Sequence, residues 1–317
     1  MPYEGEVPYE WRARPIVDTL AGTLAAAEVE AAMFLTKAVH KLEQASAIDP
    51  VVESVTKVVN GILPPGPVKD ALHGRPLGHA LHPLLVALPI GLSTGASMLD
   101  LTGGERYRPA AQRLVGAAVL SVLPTAASGL ADWSELGSSK RPKRVGLIHA
   151  SYNVVATSLY AASWLARRSG HHRRGAVLAL LGAGGLAAGG YLGGHLVYSQ
   201  GVAVSRNAYR TPKPRKWTDV APASDLGAGT LRVEVSGQPV MITRQGGRLF
   251  ALGAVCSHLG GPLDEGDITA DGCVVCPWHG SRFRLEDGSV ARGPASVPQI
   301  AYEVRTTGDR IEVRAKD

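Results

Sequence analysis

Cys256-Ser257-His258-Leu259-Gly260-Gly261 is followed by Cys276-Pro277-Trp278-His279-Gly280-Ser281. The first stretch reads C-x-H and the second C-x-x-H. Two thiolates and two imidazoles in two short loops supply four ligands of the kind that hold zinc or iron. Structural zinc sites of the Cys2His2 type keep cysteine with cysteine and histidine with histidine along the chain. Here each loop carries one of each. Gly260, Gly261 and Gly280 let backbone amides come close to sulfur, and Pro277 stiffens the second loop.

A cluster of two irons divides such a set, one iron taking both cysteines and the other both histidines. From about Trp217 to the end, the chain resembles the Rieske ferredoxin family. The likeness rests on the two loops and on Gly246-Gly247-Arg248-Leu249-Phe250-Ala251-Leu252 ahead of them. Behind them it rests on Phe283-Arg284-Leu285-Glu286-Asp287-Gly288 and Gly293-Pro294-Ala295. The resemblance implies a [2Fe–2S] cluster with Cys256 and Cys276 as sulfur ligands and His258 and His279 as nitrogen ligands. Quinol-oxidising members carry an extra cysteine in each loop and join the two in a disulfide; Gly261 and Trp278 stand in those places here. Such members also hydrogen-bond the cluster with a serine and a tyrosine. Ser281 is present, but Phe283 fills the tyrosine position. Fewer hydrogen bonds to sulfur mean a lower potential, so the expectation is the lower part of the range from about −150 to +300 mV. The third cysteine, Cys273, makes a C-x-x-C with Cys276. Val274 and Val275 between them suggest a strand, in which residues three apart face opposite ways, so Cys273 is expected to be a buried small hydrophobe.

A chain of 317 residues suggests more than one domain. Three cysteines, two of them ligands, leave no disulfide framework. The first residues are polar and contain Pro2 and Pro8, unlike a secretory signal, and no twin-arginine signal is seen. Residues 1–216 hold 23 Lys and Arg against 14 Asp and Glu, and residues 217–317 hold 10 against 13. The basic residues border apolar segments, which points to membrane flanks and away from a nucleic-acid surface.

The expected fold class is α + β, with several domains. Residues 1–72 read as amphipathic helices: Val17, Leu20, Leu24, Ala27, Ala31, Phe34, Ala38 and Leu42 form one stripe. Asp49-Pro50 reads as N-cap and first turn of a second helix with Val51, Val52, Val55, Val58, Val59 and Ile62 as its stripe. Residues 73–200 contain four apolar segments of spanning length, from Leu81 to Leu101, Pro109 to Ala131, Val145 to Ala166 and Ala176 to Tyr198. Residues 201–216 are a basic, proline-containing linker, and 217–317 are the iron–sulfur domain, with strand-like alternation between Gly-rich turns.

Four spans in series bring His79, His82, His149, His195 and Asp132 to one face of the bundle, the face from which the C-terminal domain departs. Polar groups at membrane depth are costly and mark sites. Leu81-His82-Pro83, Ala131-Asp132-Trp133-Ser134 and Gly193-Gly194-His195-Leu196 resemble a bacterial four-helix membrane-domain family with no settled function, and that resemblance supplies no activity. His82, His149 and His195 are candidate ligands of a b-type haem or another metal. A quinone pocket, or plain interfacial histidines bonded to water and lipid headgroups, are the other readings. Basic flanks are more numerous on that same face, which places it in the cytoplasm and the protein in the cell membrane. The chain is thus expected to be a membrane-anchored electron-transfer component more than a stand-alone enzyme. Its partners would be the lipid bilayer and a redox protein or quinone. The alternative makes the bundle a mere anchor for a ferredoxin that serves a separate soluble oxygenase or reductase.

Overall fold

The computed structural model describes residue 30 and residues 33–316. Most of the first amphipathic stripe lies outside the described residues; its end, 33–44, is helical. There Val39 packs with Val145 and Leu192 of later helices. Helix α1 (Asp49–Ile62) buries only Val52 and Val59 of its expected stripe, and Val51, Val58 and Ile62 remain exposed. Asp49 does not cap this helix. Its carboxylate instead takes the Arg144 guanidinium at 2.6 and 2.7 Å and Lys140 at 3.3 Å. Two cations outcompete the local backbone amides for it, since charge-assisted bonds are the stronger kind.

After the short α2 (Pro67–Leu72) come α3 (His82–Leu85), α4 (Ala87–Thr102), α5 (Arg108–Ser134), α6 (Lys140–Arg168) and α7 (His172–Tyr198). The break between α3 and α4 has a covalent cause. Pro89 has no N–H for the carbonyl of Leu85, and Thr125 Oγ1 on α5 reaches that carbonyl at 3.4 Å. The helices pack chiefly as α4 with α5 and α6 with α7. Their common core is made of small or slender residues: Ala96, Val115, Tyr160 and Ala179 are buried together. Large aliphatic side chains lie outside, among them Leu84, Leu88, Leu120, Leu123, Val155 and Leu181. An apolar exterior around a small-residue core is what a lipid solvent selects.

Three stretches, His82–Thr102, Glu105–Ser134 and His172–Tyr198, are long and apolar enough to cross a membrane. Four were expected. The fourth helix, α6, has the length but a more polar sequence, with His149, Ser151, Tyr152, Asn153 and Ser158 diluting its apolar residues. At the far end of the bundle, Arg167 is buried and pairs with Asp100 through both nitrogens, at 2.8 and 2.5 Å. Arg167 is one of the basic residues that border the apolar segments, yet it is not solvated.

The C-terminal domain is all β. Strands β1 (Thr218–Pro222), β2 (Thr230–Val235), β3 (Gln238–Gln245), β4 (Arg248–Gly253), β8 (Ala301–Thr307) and β9 (Arg310–Ala315) form one antiparallel sheet in the order β1-β9-β8-β4-β3-β2. Strands β5 (Cys273–Val275), β6 (Arg282–Arg284) and β7 (Val290–Arg292) form a smaller one. Cys273 is buried in β5, as the Val-Val spacing implied. Met241, Leu252, Leu263, Val274, Phe283 and Leu285 pack beneath the two cysteine loops and hold them from below.

Candidate metal centre

The two loops are near copies of one another in backbone. Cys256 N donates to Gly261 O and Cys276 N to Ser281 O, each at 2.8 Å. Gly260 N donates back to Cys256 O at 2.9 Å and Gly280 N to Cys276 O at 3.0 Å. Both closing glycines have positive φ, +85° and +71°, which a side chain would strain. This winding turns the amides of His258 and Leu259 towards Cys256 Sγ and those of Trp278 and His279 towards Cys276 Sγ. Those amides stabilise thiolate.

The two sulfurs are neighbours, within hydrogen-bonding reach of one another. Both cysteines are buried. The two imidazoles also meet, edge to face, with centroids 5.1 Å apart. Burial first, then the nearby His279, His73 and Arg206, push His258 down to about 3, so its ring is neutral and able to ligate. Its Nδ1 is buried and has no partner. Such an orphan in an otherwise satisfied loop is a position that a ligand completes. Among the described residues no three His, Cys, Asp or Glu side chains converge on one point. A single zinc needs four donors around one ion. A sulfur pair and a separate imidazole pair suit two irons better. The donor set therefore fits a [2Fe–2S] cluster.

The two positions that hold a disulfide in quinol-oxidising relatives are in contact here, but as glycine and tryptophan. A Cβ on Gly261 would lie 2.8 Å from Cys276 Sγ and 3.0 Å from Trp278 Cγ. Ser281 is fully buried and its Oγ accepts Ala295 N at 2.9 Å, which leaves the hydroxyl hydrogen to point elsewhere. Phe283 is fully buried and offers no such group.

The imidazole edge does not face open solvent. It faces the helical domain. Gly137, in the turn between α5 and α6, lies so close to His279 Nε2 that a Cβ there would overlap it. His258 lines a cavity of about 30 Å³, room for a water, together with His73, Asp132 and Leu136. His73 is itself buried and donates from Nδ1 to Asp132 Oδ1 at 2.7 Å. Beside it Gly293 N, from the loop after β7, donates to Asp70 Oδ1 at 2.9 Å. Leu259 joins Val52, Trp133 and Leu136 in one apolar cluster, and Arg206 N donates to Ser257 O at 2.9 Å.

The histidines grouped at one face by sequence reasoning turn out to have separate partners. Asp132 holds His73, a residue the sequence reading did not single out; the only hint was its place in the basic turn before the first span. His79 is exposed and bonded to Ala80 O. His82 donates to Thr125 O and His149 to Gly189 O. His195 Nε2 is paired with Glu43 Oε1 at 2.9 Å, which also accepts from Gln200.

Residues 216–306 match the family model described as Rieske [2Fe-2S] domain, and residues 78–206 match Predicted membrane protein (DUF2231). The cytochrome b6-f complex iron-sulfur subunit of Chlorobaculum tepidum is 36% identical over 95 residues, 30% of this chain and 51% of that protein. This chain thus spans only about half the length of that relative. The ferredoxin component of biphenyl 2,3-dioxygenase from Rhodococcus jostii is 33% identical over 97 residues, 30% of this chain and 90% of that protein. Among solved structures, the ferredoxin of carbazole 1,9a-dioxygenase from Nocardioides aromaticivorans is similar at 32% identity and a TM-score of 0.30, covering 32% of this chain and 99% of that one. By its C-terminal domain the chain belongs to the Rieske [2Fe-2S] family, and ahead of that domain it carries one of the predicted membrane protein family DUF2231.

Proposed function

We propose that this chain is a membrane-anchored Rieske electron-transfer protein whose cluster exchanges electrons with a redox group, haem or quinone, in its own helical domain. Cys256, Cys276, His258 and His279 hold the cluster. When bound, a [2Fe–2S] cluster takes up and gives up one electron at a time. The observation that carries the reading is the packing of Gly137 against His279 Nε2, which turns the imidazole edge towards the bundle. A glycine there lets backbone approach the ring and excludes water from between them. On the His258 side His73 and Asp132 supply a hydrogen-bonded polar wall around a cavity with room for one water. With both loops on the more basic flank of the bundle, the iron–sulfur domain lies on the cytoplasmic side of the cell membrane.

The purified full-length protein, in detergent, tests this. Reduction by dithionite should give the EPR signal of a reduced [2Fe–2S] cluster, with iron near two per chain, and a midpoint in the lower part of the Rieske range. His279→Ala and Cys276→Ser should abolish the signal. A zinc content matching the chain, with no such signal, overturns the reading.

The second reading makes the bundle an anchor and the β domain a ferredoxin for a soluble oxygenase or reductase. It is favoured by the 90% coverage of the dioxygenase ferredoxin component. Gly137→Leu separates the two: a wedge at the docked edge slows electron passage into the bundle on the first reading, and speeds reduction by soluble donors on the second.

A further inference from the structure

Two histidines inside the helical domain are held in the same way. His82, at the start of α3, donates from Nδ1 to Thr125 O on α5 at 2.9 Å. One turn further along α5 is Gly129, where a Cβ would stand 2.8 Å from His82 Cε1. His149, on α6, donates from Nδ1 to Gly189 O on α7 at 2.7 Å. One turn further along α7 is Gly193, where a Cβ would stand 3.1 Å from His149 Cε1. Each helix pair thus repeats one device: a histidine on the first helix, a backbone carbonyl on the second, and a glycine four residues beyond that carbonyl.

The device has a chemical consequence. A carbonyl only accepts, so both rings carry their hydrogen on Nδ1 and their lone pair on Nε2. Fixing the tautomer and orientation through the other ring nitrogen is how proteins prepare an imidazole to bind metal. Packing alone gives no reason for it. A histidine within a span is costly, and each glycine costs its helix about 1 kcal/mol relative to alanine. The two rings lie near enough to act on one another electrostatically.

We infer that His82 and His149 are the paired axial ligands of a haem iron, an assignment that rests on the reading that the helical domain holds the redox partner of the cluster. Haem is favoured over a bare ion by the donor count. Among the described residues no third His, Cys or carboxylate joins the pair. A bare transition ion needs about four ligands, whereas the haem ring supplies its own four nitrogens and asks the protein only for axial ones. Asn153 Nδ2 lies 3.4 Å from His149 Nδ1 and 3.2 Å from its Nε2, over the face of the ring and off the in-plane lone pair of Nε2, and it donates to His149 O at 2.9 Å. His195 stands outside the set, because its Nε2 already bonds Glu43.

The test uses the full-length protein in detergent, produced with a haem precursor, and haem is assayed as the pyridine haemochrome. The expected result is stoichiometric haem with a low-spin, bis-imidazole spectrum. His82→Ala and His149→Ala should each lower haem content about tenfold or more, while His195→Ala leaves it unchanged. Gly193→Val keeps both imidazoles but displaces one ring, and should shift the spectrum away from low spin. Helical circular dichroism retained in every variant shows that the bundle still folds, and the retained cluster EPR signal shows the same for the β domain. The assignment is overturned if the wild type neither contains haem nor forms a low-spin species with added hemin. Haem that survives both histidine variants, or stoichiometric copper or zinc in its place, overturns it equally. Haem that binds through these residues but stays oxidised when the cluster is reduced upholds the ligand pair and removes the internal relay.

Discussion

Gly261 shows how one residue decides what kind of centre this is. The backbone of the first loop passes within touching distance of the second, and a Cβ on Gly261 would press on both Cys276 Sγ and the Trp278 ring. Cys276 cannot retreat: it is pinned by its bond to Ser281 O, and the core below it is filled by Leu263, Val274 and Phe283. Gly261→Ala should therefore push the loops apart and lower iron content and EPR signal together, well before it lowers the melting temperature of the β sheet. Iron analysis and circular dichroism on one sample check this. The four proposed ligand positions stand out in the sequence because chemistry restricts residue type there: only Cys and His donate in this pattern. The orphaned Nδ1 of His258 was not legible, since burial of one atom depends on the whole surrounding fold.

At the scale of elements, the β strands and the apolar helices follow the periodicities of the sequence, because each must bury or expose one face. The places where the reading slipped are those where a distant charge intervenes. Asp49 looks like a cap, but Arg144, 95 residues away, takes its carboxylate. Arg167 looks like a solvated flank, but Asp100 on α4 draws it inside. This second pair ties the ends of α4 and α6, with Ser163 also bonded to the guanidinium at 3.1 Å. A buried pair is worth little against an apolar replacement, yet removing one partner leaves the other charge stranded. Asp100→Asn should accordingly destabilise the bundle by about 3–5 kcal/mol. The double change Asp100→Leu with Arg167→Leu should recover most of that loss. Thermal unfolding in detergent, followed by helical circular dichroism, reads both; equal destabilisation by the single and double variants would show that the pair does not act as a unit.

For the whole molecule, the decisive feature is that the β domain sits on the bundle with its imidazole edge inward. No periodicity announces this, because its contacts join residues far apart in sequence. The bond from Gly293 N to Asp70 Oδ1 spans 223 positions and is buried. Asp70 also has Arg75 nearby, at 3.7 Å, so the carboxylate has one cation to balance it and one backbone amide to bind. The apolar part of the seam is small, with Leu259 the residue that the cluster loop contributes to the Val52, Trp133 and Leu136 group. A seam of that kind depends on its few buried polar bonds. A hydrogen bond to a charged group contributes about 1.5–3 kcal/mol, so Asp70→Ala should weaken docking about 10- to 100-fold in its equilibrium. The domains would then spend time apart, joined by the linker of residues 201–216. Pulsed EPR between the reduced cluster and a spin label on the bundle should show a broadened, longer distance in the variant. Proteolysis should cut the linker faster. The cluster spectrum itself should not change, since Asp70 touches neither cysteine loop. An unchanged distance distribution would mean that shape complementarity around Gly137 and Leu259 suffices to hold the edge in place.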